Sequence, residues 1–375
     1  MTYVPRVVHH SIRWNKADPM LDPIQSNSTS WRIIDKIDTS MQNEKDIIKT
    51  RFVPAQGTTP IQTSKWKRID DILDYNKKAA KKKNIGSSST LPASQIILNI
   101  DSLMPEGFEW HQNSCPYDAL LSIVHCIWTT DQPIWTQCFA EMNHDLAGQL
   151  VRGFHKHQDK QITLESVRDN FRRALDALFP TQFAWASFSS PCDIMPYLFS
   201  MPITTTATHL ECDNGHTIPD VIRINNTCCV MSAGRFRYKS VQDWMTLLKE
   251  STHHVCEECL QSTGTAHNVY RHSKFTHILP LIALDFCTQQ IQIDHTITVR
   301  IDELDVRYTL SGVMYYGNSH FTSRIIQANR MVWFHDGIAT GKKMTYEGKL
   351  DNLNNNLDLT RCGSKTAVGA IYIKA

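Results

Sequence analysis

No run of about 18 uninterrupted apolar residues occurs in the 375-residue sequence, so no membrane-spanning helix is predicted. The opening MTYVPRVVHHSIRW lacks the apolar stretch of a secretory signal, and the expectation is an intracellular protein, cytoplasmic or nuclear. No internal repeat is visible, which excludes a solenoid. No cysteine precedes residue 101, although eleven follow it. In a reducing compartment these read as thiols, metal ligands or a nucleophile rather than disulfides. The part beyond residue 100 offers no basic stripe with interleaved aromatics, which argues against nucleic-acid binding there.

What is present divides the chain near Ile100. Residues 1–100 carry 16 Lys or Arg against 9 Asp or Glu, while residues 101–375 carry 23 against 28. The first part reads as a basic, polar, partly disordered extension. Its run YNKKAAKKKNIGSSST (Tyr75–Thr90) ends in a serine-rich linker. The lysines read first as a solvated segment; nuclear import or nucleic-acid contact through Lys77–Lys83 is the weaker alternative. With 41% apolar and 20% charged residues overall, the chain has an ordinary globular composition.

After residue 100 the hydrophobic period is first helical. Leu120, Val124 and Ile127, flanked by Leu121 and Trp128, mark one helix. ITLESVRDNFRRALDALF (Ile162–Phe179) marks a second, with Thr163 as N-cap and Glu165 in its first turn. SVQDWMTLLKES (Ser240–Ser251) is read as a third. From about residue 275 the pattern becomes strand-like: FTHILPLIALDF, IQIDHTITVRI, RYTLSGVMYYG, SHFTSRIIQ, RMVWFHDG and AVGAIYIK. Helices followed by an antiparallel sheet predict an α+β fold.

One cysteine stands at the mouth of the first helix, in EWHQNSCPYDALLSIVHCIW. A thiol attacks only as thiolate, and a helix N-terminus or a nearby imidazolium favours that form. Cys115 has the helix, with Pro116 in the first turn, where a missing N–H does no harm. Gln112, Asn113 and the backbone N–H of Cys115 are the candidates to bind a developing oxyanion. Among seventeen histidines, His320 follows the turn Gly317-Asn318-Ser319 and opens a strand, and Asp336 lies sixteen residues on. Adjacent antiparallel strands can set these two side by side. His335 would point to the opposite face of its strand from Asp336 and is not chosen.

NSCPYDALLSIVHCIW resembles the cysteine box of the ubiquitin-specific proteases, and YTLSGVMYYGNSHFTSRI followed by WFHDG resembles their histidine box. The order Cys, His, Asp fits that family over roughly residues 105–375. The sequence differs from the usual pattern in having WHQNS before the cysteine, His320-Phe321 for His-Tyr, and Asp336-Gly337 for Asp-Asp. In these it is similar to divergent relatives, a SUMO-directed branch and the protease-like proteins of fungal transposons. The resemblance implies a papain-like fold for residues 101–375, with a helical thumb, a β-sheet palm and a β-rich fingers insertion at about 200–270. It implies a thiol isopeptidase that cleaves after the C-terminal glycine of ubiquitin or a ubiquitin-like modifier, with Cys115, His320 and Asp336 catalytic. The alternatives are a SUMO isopeptidase and an inactive module that binds ubiquitin or SUMO.

Cys212-x3-His216 and Cys256-x2-Cys259 are two short-spaced ligand pairs about forty residues apart, the arrangement of a structural zinc site. A zinc site in this part of the order also agrees with the fingers of the family that the chain resembles. Cys228 and Cys229 between the pairs read as core thiols of a finger strand. Cys126, Cys138, Cys192, Cys287 and Cys362 have no ligand-like spacing and read as core.

Overall fold

In the computed structural model the described residues are 103–231, 238–287, 290–350 and 357–375. The basic extension, its lysine run and the linker lie outside the described residues. Five helices come first: α1 (Cys115–Thr130), α2 (Gln132–Met142), α3 (Ala147–Gln158), α4 (Leu164–Leu178) and α5 (Pro191–Leu198). Local sequence sets their starts. Asp131, Thr163 and Ser190 cap α2, α4 and α5 by accepting backbone N–H bonds from the first turns, and proline opens α1, α2 and α5.

Helix α1 is the centre of the molecule. Every side chain from Cys115 to Trp128 is buried, as expected of a helix apolar on most of its faces. It packs on β8 (Leu304–Gly317) and β9 (His320–Ile326) on one side and on α2, α4 and α5 on the other. Gly312 in β8 makes that approach feasible, because a Cβ there would lie 2.6 Å from Ile123.

The nine-stranded sheet also contains β3 (Cys229–Met231), β6 (Leu281–Asp285), β7 (Thr296–Ile301), β10 (Met331–His335), β11 (Thr345–Lys349), β12 (Arg361–Cys362) and β13 (Lys365–Lys374). Its main order is β11-β10-β9-β8-β13-β6-β3, with β7 beside β8 and β12 beside β13. All pairs are antiparallel except β3 with β6. A separate four-stranded sheet, ordered β2-β1-β5-β4, is formed by β1 (Thr206–Cys212), β2 (Thr217–Asn225), β4 (Lys249–Val255) and β5 (Asn268–Phe275). Two short helices, α6 (Val241–Leu247) and α7 (Glu257–Thr263), lie in the same stretch of chain. The chain thus mixes helix and sheet. Among the described residues no helix is long and apolar enough to cross a membrane.

Three expectations are corrected. The third predicted helix stops at Leu247, because Leu248 turns left-handed at φ 41°, and Lys249 begins strand β4. Its tail pairs with β5, and tertiary pairing overrides local helical propensity. Cys228 and Cys229 are buried, but they belong to the edge of the nine-stranded sheet, where β3 lies parallel to β6, and not to a strand of the smaller sheet. Of the five cysteines read as core, Cys126 and Cys362 are buried, whereas Cys138, Cys192 and Cys287 are half-buried.

Candidate functional site

Cys115 is the first residue of α1, and its thiol is buried. Burial pushes the thiol up to about 11; the backbone N–H of Phe321 and the charge of Lys365 pull it down, and Asp118 pushes it up. The preceding Ser114 does not cap the helix with its side chain. Its hydroxyl instead donates to Asp118 Oδ2 at 2.6 Å and accepts the His111 N–H at 2.8 Å.

His320 opens β9 directly after a two-residue turn, Asn318 and Ser319, both left-handed. Its Nε2 lies 2.8 Å from Asp336 Oδ1. Asp336 follows the end of β10, and the same Oδ1 accepts the N–H groups of Ile338 and Ala339 at 3.0 and 3.1 Å. Burial pushes this carboxyl up, but His320 and the two N–H groups outweigh it, and the group ends below the usual carboxylate range. An ionised carboxylate only accepts, so Nε2 carries the proton and Nδ1 is left with a free lone pair. That Nδ1 is buried and has no hydrogen-bond partner, so no bond joins it to the Cys115 sulfur. The sulfur meets instead the N–H of Phe321, the next residue after the histidine.

His335 faces the other way. Its ring contacts the backbone of Phe108 and the Ser122 hydroxyl, and burial holds it down to about 4. Gly337 fits where the resembling family has a second aspartate, because a Cβ there would lie 2.9 Å from the Phe108 carbonyl oxygen and 3.1 Å from Asp118 Oδ2.

The loop before Cys115 is held in an uncommon shape, with Gln112 at φ 47° and Asn113 at φ 59°. The two amides have different freedom. The Trp185 indole N–H can only donate, so the Gln112 atom 3.0 Å from it is Oε1, and the NH2 group is left over. The Asn113 amide does the reverse: its Nδ2 donates to the Ala186 carbonyl at 2.8 Å.

Two arginines four residues apart on α4 fix this loop. Arg168 is buried and donates to the Glu109 carbonyl at 2.6 Å and to Asp118 Oδ1 at 2.9 Å. Arg172 donates to the carbonyls of His111 and Gln112 at 3.2 and 2.7 Å, with its guanidinium 4.4 Å from the Trp185 ring centroid. Sequence reasoning did not pick out Arg168, Arg172, Trp185 or Lys365 as parts of the site. Only the i, i+4 spacing of the two arginines on a predicted helix was there to be read.

The four residues read as zinc ligands converge at one end of the smaller sheet. Cys212 and His216 lie on the β1–β2 turn, and Cys256 and Cys259 at the start of α7, with all four donor atoms within 4.8 Å of one another. Cys212 Sγ is 3.7 Å from Cys259 Sγ, and His216 Nδ1 is 3.2 Å from Cys259 Sγ and 3.6 Å from Cys256 Sγ. A disulfide needs about 2.05 Å. A tetrahedron with Zn–S of about 2.3 Å has S···S edges of about 3.8 Å, close to the 3.7 Å between Cys212 and Cys259. Three thiols and an imidazole in this arrangement can hold zinc. The chain contains no disulfide among its described cysteines.

No family model matches the sequence, and no curated protein matches it. Solved structures do match the chain, two of them as follows. Both are of the SAGA DUB module of Ubp8, Sgf11, Sus1 and Sgf73, one bound to monoubiquitin and the other to ubiquitin aldehyde. Each has a TM-score of 0.46 and 10% identity, and the match covers 82% of this chain and 75% of that chain. At that distance, function has to be argued from the side chains.

Proposed function

We propose that the chain is a thiol isopeptidase of the ubiquitin-specific protease kind, acting on the bond after the C-terminal glycine of ubiquitin or a ubiquitin-like modifier. The observation that carries this reading is the His320 imidazole, fixed by Asp336 in the tautomer that leaves Nδ1 basic and without a partner, beside the residue whose N–H faces the Cys115 sulfur. The choice of modifier rests on the cysteine and histidine boxes of the sequence. In this reading α1 to α5 form the thumb, the nine-stranded sheet the palm, and the four-stranded sheet with its zinc ligands the fingers.

Nδ1 of His320 takes the Cys115 thiol proton, and Asp336 stabilises the imidazolium that results. The thiolate sulfur bonds to the carbonyl carbon of the terminal glycine, and the C=O electron pair moves to oxygen. The Cys115 N–H at the helix start and the Gln112 NH2 group stabilise that oxyanion, since the Asn113 NH2 is anchored to the Ala186 carbonyl while the Gln112 NH2 has both of its N–H groups left. Collapse expels the lysine amine, protonated by His320. Water, deprotonated by the same ring, then releases the thioester. Zinc would be held by Cys212, His216, Cys256 and Cys259, where it supplies structure and no chemistry.

A second reading, a modifier-binding module without turnover, is favoured by one observation: burial pushes Cys115 up, and no hydrogen bond links it to His320. Turnover of fluorogenic ubiquitin and SUMO substrates, run with wild type and Cys115→Ala, separates the readings. Release by wild type and none by the variant supports the isopeptidase. Tight binding of one modifier without release supports the module.

A further inference from the structure

We propose that Lys365 is the positioning residue of this site, holding the His320 turn in place and supplying the fixed positive charge beside Cys115. The inference rests on the reading of Cys115, His320 and Asp336 given above.

The turn between β8 and β9 is strained. Asn318 and Ser319 have φ of 54° and 55°. A two-residue turn with both central residues left-handed favours Asn-Gly, and the Cβ of Ser319 opposes that conformation. Such a turn persists where its surroundings hold it. Here the surroundings are Ser364 and Lys365. Gly317 approaches them so closely that a Cβ on it would lie 3.0 Å from Lys365 Cα and 3.2 Å from the Ser364 carbonyl oxygen. Asn318 Nδ2 donates to Ser364 Oγ at 3.0 Å. Lys365 Nζ donates to the Gly317 carbonyl at 3.1 Å and to the His320 carbonyl at 3.3 Å. One ammonium therefore bridges the two residues that flank the turn, and one of them is the histidine itself.

The same charge reaches the reacting groups. Lys365 donates to the His320 carbonyl, and the N–H of that same peptide group, the Phe321 N–H, meets the Cys115 sulfur. Burial pulls the Lys365 ammonium down from its usual range, and the charges of Asp336, Cys362 and Cys115 oppose that shift. Around Cys115, Asp118 from α1 opposes the thiolate and Lys365 from β13 favours it. A cation that is half-buried and doubly hydrogen-bonded is a steadier partner for a thiolate than a mobile surface lysine, because it is less screened by solvent. It takes no part in proton transfer, which remains between the Cys115 sulfur and His320 Nδ1.

The test uses the full chain with Lys365→Met, Lys365→Gln, Lys365→Arg and the double variant Lys365→Met/Ser319→Gly, each confirmed folded by circular dichroism. Iodoacetamide labelling of Cys115, quantified on its own peptide by mass spectrometry, is followed from pH 6 to 10, with modifier hydrolysis measured in parallel. Loss of the charge in Met and Gln shifts the labelling profile up by about one pH unit, seen as roughly tenfold slower labelling at pH 8. Arginine restores the profile. Lys365→Met lowers kcat with KM little changed. Relaxing the turn with glycine at 319 recovers part of kcat and leaves the labelling profile shifted. An unshifted profile in both Met and Gln overturns the charge role, and no recovery by Ser319→Gly overturns the positioning role. If wild type hydrolyses neither modifier, the isopeptidase reading and the positioning role that rests on it both fail, while the labelling still decides the charge role of Lys365.

Discussion

Cys115 and Cys256 both stand at the start of a helix, one as the first residue of α1 and the other at the N-cap position of α7, yet their surroundings are opposite. Cys256 is crowded: two further sulfurs and an imidazole lie within 4.8 Å of it. Cys115 has no other thiol as a partner, and its sulfur faces a backbone N–H with the His320 pair alongside. The difference teaches that a helix N-terminus by itself does not assign a cysteine. Four soft donors at tetrahedral spacing make a site that metal closes. A single thiol beside an oriented base makes a site that stays open to a substrate carbonyl.

Substitutions on each side break the comparison differently. His320→Ala should have the largest effect, lowering modifier turnover by roughly a thousandfold or more, because thiol activation and leaving-group protonation both go with it. Its zinc content should be unchanged, as read by metal analysis. Cys256→Ser should do the reverse. Loss of one ligand should release about one zinc per chain and lower the unfolding free energy by several kcal/mol, because metal binding is coupled to folding. Zinc retained at full occupancy in the variant would refute the four-ligand assignment. Breaking the buried Arg168–Asp118 pair with Arg168→Ala should cost about 3–5 kcal/mol in urea unfolding, since Asp118 is left buried and unpaired.

Asp336→Ala should reduce kcat less than His320→Ala, by about 10- to 100-fold, because it orients the base and does not replace it. The smallest effect concerns the two buried imidazoles that lie outside the proposed site. His125 and His335 are both held down to about 4 by burial, from a usual 6.5. Below pH 6.5 the unfolded chain binds protons that the folded chain refuses, so stability falls as pH drops from about 6.5 towards 4. Each histidine contributes a slope of about 1.4 kcal/mol per pH unit in that window. Urea unfolding of His125→Phe at pH 7 and pH 5 should show one of the two increments removed, and an unchanged difference would count against the assignment.

Much of this geometry was legible in the sequence because its signals are local. A turn leading into a strand pointed to His320, alternation along RMVWFHDG put His335 on the face away from Asp336, and two short-spaced pairs pointed to the metal cluster. What was not legible depends on long-range contacts. Arg168 and Arg172 meet backbone carbonyls some sixty residues earlier in the chain, and Trp185 selects the Gln112 rotamer across 73 residues. The smaller sheet was expected only from the family resemblance and not from the residue pattern, for a related reason. The residues from Lys249 onward carry a helical pattern, and only pairing with β5 makes them a strand. Nothing in the sequence marks Lys365; it is brought to the histidine turn only by the pairing of β12 with β13 and its bond to the His320 carbonyl.

The central claim is that the isolated thiol, and not a thiol of the metal cluster or the core, is the group that reacts with a modifier tail. Purified chain should be incubated with ubiquitin and with SUMO carrying a C-terminal electrophile, and the adduct mapped by mass spectrometry. The account predicts one covalent adduct, on Cys115, abolished by Cys115→Ala and unaffected by Cys126→Ala. Labelling of Cys126 or Cys287, or no adduct with either modifier on folded protein, would contradict it.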